Sequence, residues 1–197
     1  KKNNKDLLIK ELLPRKRIVR YHEYDKVNQA QLIILCSLNN LTEFERRYTI
    51  KLYNEIIGGS ANSILFENVR EKHSYCYYIN SSVKAYDNIL LINSGVEQEN
   101  IDKTIKLVRK TLKSINEGKL KEENIISAKN TIISGIKSAS DEPIGIINTY
   151  FSKVLVGTPN EEERIANFNK ITKEDIVKVS KKVTLHTILT LESKEDE

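Results

Sequence analysis

Residues 58–78, GGSANSILFENVREKHSYCYY, constrain the fold of this chain more than any other stretch. The glycine pair predicts the end of one helix, and a short amphipathic helix with Leu65, Phe66 and Val69 on one side then closes near Arg70. An aromatic and β-branched run follows, with Tyr77 seven residues beyond the arginine. Tyr75, Tyr77, Ile79 and Val83 alternate there with Cys76, Tyr78, Asn80 and Ser82, the period of a strand. Two consecutive helices that feed a strand break any regular alternation of strand and helix.

The flanking segments extend the pattern. Arg17–Tyr24 reads as an edge strand, and QAQLIILCSL at 29–38 is apolar on both faces, as a central strand should be. Thr42 and Glu45 have the spacing of a capping box. Phe44, Tyr48, Leu52 and Ile56 follow at intervals of four and predict a buried stripe, ended at Gly58 and Gly59 by left-handed backbone. A turn over Ala85–Asn88 leads into the strand ILLINSGV. Beyond Gly95 the period changes to that of helices. Ile101, Ile105, Val108, Leu112 and Ile115 mark one, stopped by Gly118, and Ile125, Ala128, Ile132, Ile136 and Ala139 a second. Pro143 opens a third that is expected to bury Ile147, Phe151 and Val154 before Gly157-Thr158-Pro159. Two short helices, one capped by Thr172 and Asp175, precede a final strand over Thr184–Leu191. The expected fold is α+β: a two-layer domain in which helices pack on one face of a mostly antiparallel sheet. Residues 1–24 are expected to be a leading linker segment, 25–191 one domain, and 192–197 a frayed acidic tail.

Composition excludes several functions. In 197 residues no apolar run approaches the roughly 20 needed to span a bilayer, and the first residues lack the layout of a signal peptide. The chain has no methionine, which suggests a fragment or a processed product. A net charge of +5 invites a basic nucleic-acid-binding module, but lysines and arginines alternate with acids, and only PRKRIVR is densely basic. Cys36 and Cys76 each sit in an apolar strand-like run and are expected to be reduced core thiols in a cytoplasmic protein. His22, His73 and His186 are too far apart in sequence to form a local ligand pair, and H-x-x-E-H does not occur, so no metal site is expected. A serine or cysteine hydrolase is disfavoured, because there is no G-x-S-x-G and Cys76 has no partner to activate it.

Leu52, Ile56, Ile57, Gly58, Gly59, Leu65, Phe66, Val69, Arg70, Glu71, Lys72 and Tyr77 together resemble the signature of the second domain of pitrilysin/insulinase-type zinc peptidases. GVEQENIDK, EGKLKEENIISAKN and NKITKEDIVKV resemble the later helices of that family, so the likeness covers roughly residues 25–191. The resemblance implies the zinc-free half of a clam-shell or dimeric peptidase, which encloses and orients peptide and hydrolyses nothing by itself. It implies no catalytic residue here, and it makes Arg70 and Tyr77 the pair that holds the substrate backbone. Their chemistry suits that role, since a guanidinium fork and a phenol both donate to carbonyls. Zinc, its activated water and the glutamate base are expected on another domain or a paralogous subunit, with neither nucleic acid nor membrane as partner. The chain departs from the family pattern at Tyr75-Cys76-Tyr77-Tyr78, where Tyr78 rivals Tyr77. A structural or pseudo-enzyme partner of an active peptidase is the alternative.

Overall fold

A computed structural model of the chain describes Leu12, Arg15 and residues 17–194. The order is β1 (Val19–Asp25), β2 (Ala30–Leu38), α1 (43–59), α2 (64–71), β3 (Cys76–Lys84), β4 (Ile89–Val96), α3 (Ile101–Asn116), α4 (Glu122–Asp141), α5 (Pro143–Val156), α6 (Glu161–Lys170), α7 (Lys173–Ser180) and β5 (Val183–Ser193). The strands form one sheet in the order β1-β5-β2-β4-β3, antiparallel except where β1 joins β5. The fold is therefore the expected α+β one. Most of the segment read as a leader lies outside the described residues, but its last residues, from Val19, are the edge strand β1. At the other end Glu192 and Ser193 complete β5, and 195–197 lie outside the described residues.

Strand alternation builds the core. Leu32, Ile34 and Cys36 of β2, Leu90 and Ile92 of β4, and Ile188 of β5 point to one face, where α1, α2, α3 and α7 cover them. Leu35, Leu91 and Leu189 lie between these positions and are only half-buried, and among the described residues no helix covers the opposite face. The five predicted apolar positions of α3 are all buried. Gly118 and Gly157 take the left-handed conformation that closes α3 and α5. Cys36 and Cys76 are free and buried, and loss of solvation pushes the Cys36 thiol up to about 12.

Three expectations need correction. Gly58 and Gly59 do not terminate α1 through left-handed backbone, since the helix runs through both and leaves at the extended Ser60. Gly58 is instead a point of close approach: a Cβ there would lie 2.6 Å from Ser81 Oγ, so α1 lies almost directly on β3. Phe44 does not join the buried stripe. It sits in the first turn and packs its ring against Tyr48, at 5.1 Å between centres. The helix opened by Pro143 buries none of its side chains, and Ile147, Phe151 and Val154 are each more than half exposed.

The two capping boxes are formed. The Thr42 amide donates to Glu45 Oε2 at 2.7 Å, and the Glu45 amide to Thr42 Oγ1 at 3.2 Å. Lys182 Nζ donates to the same carboxylate at 2.7 Å, which ties the start of α1 to the start of β5. Burial alone would raise the Glu45 pKa, but Lys182 and Thr42 outweigh it and hold the carboxyl below its ordinary range. Thr172 and Asp175 cap α7 in the same way. In the middle of α1, Tyr53 is fully enclosed and its hydroxyl has no hydrogen-bond partner among the described residues. A buried unpaired hydroxyl costs about 1–3 kcal/mol. Tyr53→Phe is accordingly expected to raise the melting temperature, and a fall in thermal denaturation would contradict this account of the hydroxyl.

Candidate functional site

The exposed chemistry of the signature stands where α2 gives way to β3. Leu65 and Val69 are fully buried and anchor α2 to the sheet, so its last turn is held from below. The turn over Phe66–Glu71 is wide, with the Lys72 amide reaching back five residues to Glu67 O at 2.9 Å. The connector is also fixed. The Ser74 and Tyr75 amides donate to Arg70 O and Val69 O, both at 3.0 Å, and Ser74 takes left-handed backbone. Lys72 pairs with Glu67 at 2.7 Å, and His73 Nδ1 lies 2.6 Å from Asn68 O. These contacts immobilise the neighbours of Arg70 and leave its own guanidinium available.

Arg70 is exposed and makes no ion pair among the described residues. Its guanidinium lies over the ring of Phe66, 4.8 Å from the centre, one turn earlier. Its charge also reaches the Cys76 thiol. Burial pushes that thiol's pKa up, while a hydrogen bond with Ser94 and the arginine pull it back in part. Arg70 therefore stands beside the first residue of β3.

Tyr77 is the next residue, and a β-bulge sets its position. Cys76 pairs with Val96 and Tyr78 with Gly95, so Tyr77 is the extra residue on the bulged strand. Its ring is 74% exposed, the largest value for any of the large hydrophobic side chains exposed on this surface. Tyr78 differs. It is half-buried on the face opposite the helices, and its hydroxyl donates to Gln31 Oε1 at 2.5 Å. The cross-strand Gly95 leaves room for that ring, since a Cβ there would come within 2.5 Å of it. The rival tyrosine is thus committed to packing, while Tyr77 is free. No hydrogen bond joins Arg70 to Tyr77. The strict alternation read from the sequence has no place for the bulge, and a four-residue aromatic run gives no sign of which residue is extra.

The three histidines do not converge. His22 on β1 meets Thr190 Oγ1 at 2.9 Å, His73 lies at the end of α2, and His186 is buried on β5 beside Thr187. Among the described residues no three His, Cys, Asp or Glu side chains come together as a metal would need. No helix among them is long and apolar enough to cross a membrane.

A second feature escaped the sequence reading. A cavity of ≈ 690 Å³ opens between α1, β3 and α5, and neither Arg70 nor Tyr77 lines it. Arg47, Lys51 and Arg164 do. The i, i+4 spacing of Arg47 and Lys51 was visible, but Arg164 lies more than a hundred residues further on.

Comparison with known proteins gives a consistent picture. Residues 4–132 match the family described as the peptidase M16 inactive domain. The chain is 28% identical over 147 residues to a Bacillus subtilis protein described as a probable inactive metalloprotease, YmfF, covering 74% of this chain and 34% of that one. It is 27% identical over 167 residues to an uncharacterized zinc protease of Rickettsia felis, covering 80% and 39%. Among solved structures it resembles a conserved protein from Enterococcus faecalis, with a TM-score of 0.89 at 25% identity over 96% of this chain and 45% of that one. The fold is also that of a peptidase M16 inactive domain from Pseudomonas fluorescens, with a TM-score of 0.75 at 18% identity over 96% and 47%. The chain thus spans less than half the length of each of these relatives.

Proposed function

Because this chain belongs to the peptidase M16 inactive-domain family, we propose that it is the non-catalytic half of a zinc-dependent peptidase, where it closes over a peptide and orients it. Arg70 and Tyr77 are the substrate-binding residues in this reading. Zinc, its bound water and a general base belong to the other half, which either precedes this domain in one polypeptide or is a paralogous subunit. The residues of this chain supply position. A guanidinium and a phenol, each on a rigid element, donate to peptide carbonyls and stabilise charge that develops on one of them. Two unpaired thiols fit a reducing compartment, and the cytoplasm is the proposed location.

The observation that carries the two-part reading is α5. Ile144, Ile146, Ile147, Tyr150, Phe151, Val154 and Leu155, seven apolar side chains, are exposed on this one helix. So large an apolar surface on one element is the mark of an interface. The relatives extend well beyond the part that this chain matches, which supports a second domain as the occupant. The double substitution Ile147→Asp with Phe151→Asp is expected to abolish association with the zinc-bearing half in size-exclusion chromatography with light scattering. It should barely move the melting temperature, since both side chains lie in solvent here. Unchanged association would refute the assignment of this face.

The pseudo-enzyme reading retains one specific support, the description of the Bacillus subtilis relative as probably inactive. In that case the same face would engage a zinc-bearing paralogue, and the presence or absence of H-x-x-E-H in the parent polypeptide separates the two.

A further inference from the structure

Helix α5 is turned the wrong way round for a helix that simply covers a core. Its apolar side faces solvent, while Asn148, Thr149 and Ser152 face inward and line the cavity above α1. Apolar surface ordinarily turns inward. A helix that presents amide and hydroxyl groups to the interior keeps a wet space open beneath it. The helix is also fixed at both ends. At its start Gly145 abuts the Ala139 carbonyl so closely that a Cβ would lie 2.1 Å from the oxygen. At its end Arg47 Nη2 donates to Val156 O at 2.5 Å and Nη1 to Gly157 O at 2.9 Å, while Nε pairs with Glu43 at 2.5 Å. Arg47 is therefore occupied as a clamp on α5.

The two remaining cations of the cavity are not occupied. Lys51 and Arg164 make no ion pair and no side-chain hydrogen bond among the described residues. Glu55 also lines the space, one turn beyond Lys51, yet it does not pair with it, and its Oε1 is enclosed without a partner. Loss of solvation, and then the nearby charges of Arg164 and Arg47, hold the Lys51 pKa below its ordinary value. Arg47, Lys51 and Arg164 outnumber Glu55 among the charged residues that line the space, so its net charge is positive and favours an anion. The volume of ≈ 690 Å³ lies within the range of about 300–1,000 Å³ usual for ligand pockets and is generous for a bare inorganic anion. Ile132, Ile136 and Phe168 add apolar wall beside the amide and hydroxyl groups, the mixture that suits a peptide segment.

We propose that the cleft between α1 and α5 binds an acidic peptide segment, with its carboxylate on Lys51 and Arg164 and its backbone along the polar side of α5. The site is separate from Arg70 and Tyr77 and does not depend on the role given to them.

The test is fluorescence anisotropy of the whole protein with a labelled octapeptide that carries two glutamates, beside a counterpart in which both are glutamine. The glutamate peptide is expected to bind in a salt-dependent way, and the glutamine peptide at least about tenfold more weakly. Lys51→Gln with Arg164→Gln should produce a loss of the same size. Ser152→Leu keeps both cations but fills the cleft, and should also abolish binding. Equal affinity for the two peptides, or binding that survives both variants, overturns the proposal. Complete displacement of the peptide by millimolar inorganic phosphate would show a simple anion site and would overturn the peptide assignment as well.

Discussion

Leu52→Ala is expected to lower the unfolding free energy by about 2–5 kcal/mol, read as a shift of the denaturant midpoint at unchanged slope. Leu52 is completely enclosed within the core. Further along the same helix Gly58 lies against Ser81 of β3, with no room for a Cβ, so α1 is held close to the sheet. The deletion removes apolar contact and leaves a void that a clamped helix cannot close. The result matters beyond stability because Leu52 opens the recognisable signature. Ile56, Ile57, Leu65 and Val69 of the same signature are also buried, so most of it describes packing. A cost below about 1 kcal/mol would mean that α1 is free to move and that the signature constrains something else.

Arg70→Ala should show the opposite pattern. Arg70 is exposed, and its described contact is the ring of Phe66, worth only about 0.5–1 kcal/mol at such a site. Stability should scarcely change. In the zinc peptidase proposed above, however, peptide turnover is expected to fall by about a hundredfold, the usual loss when one preorganised donor to a developing negative charge is removed. Tyr77→Phe should act in the same direction. Tyr78→Phe should leave turnover intact and cost only the hydrogen bond to Gln31. A drop in turnover caused by Tyr78→Phe, with none from Tyr77→Phe, would reverse the roles proposed for the two tyrosines. Unchanged turnover in Arg70→Ala would remove the arginine from the mechanism.

These contrasts show how far local patterning reaches. The capping residues Thr42 and Thr172 act within three residues of themselves, and both capping boxes form as their spacing predicts. The stripe from Ile101 to Ile115 follows one helical period and is buried throughout. The same logic failed for α5, whose Ile147, Phe151 and Val154 are as regularly apolar. Periodicity identifies an apolar side, but it does not say whether the matching surface lies in the same domain. It failed in another way at Gly58. Its place at the end of a helical stripe suggests a conformational device, yet its lack of a Cβ serves contact with Ser81, more than twenty residues away.

Sequence alone determined the elements, their α+β order, the burial of both cysteines and the signature with its exposed arginine, because helical and strand periods, caps and turns are short-range properties of the chain. Tertiary structure alone decided which of two adjacent tyrosines is free, since that rests on how β3 pairs with β4 and where the extra residue is accommodated. It alone also turned α5 outward and brought Arg164 to the cleft beside Lys51. Both depend on the packing of elements far apart in the chain, which no local pattern encodes.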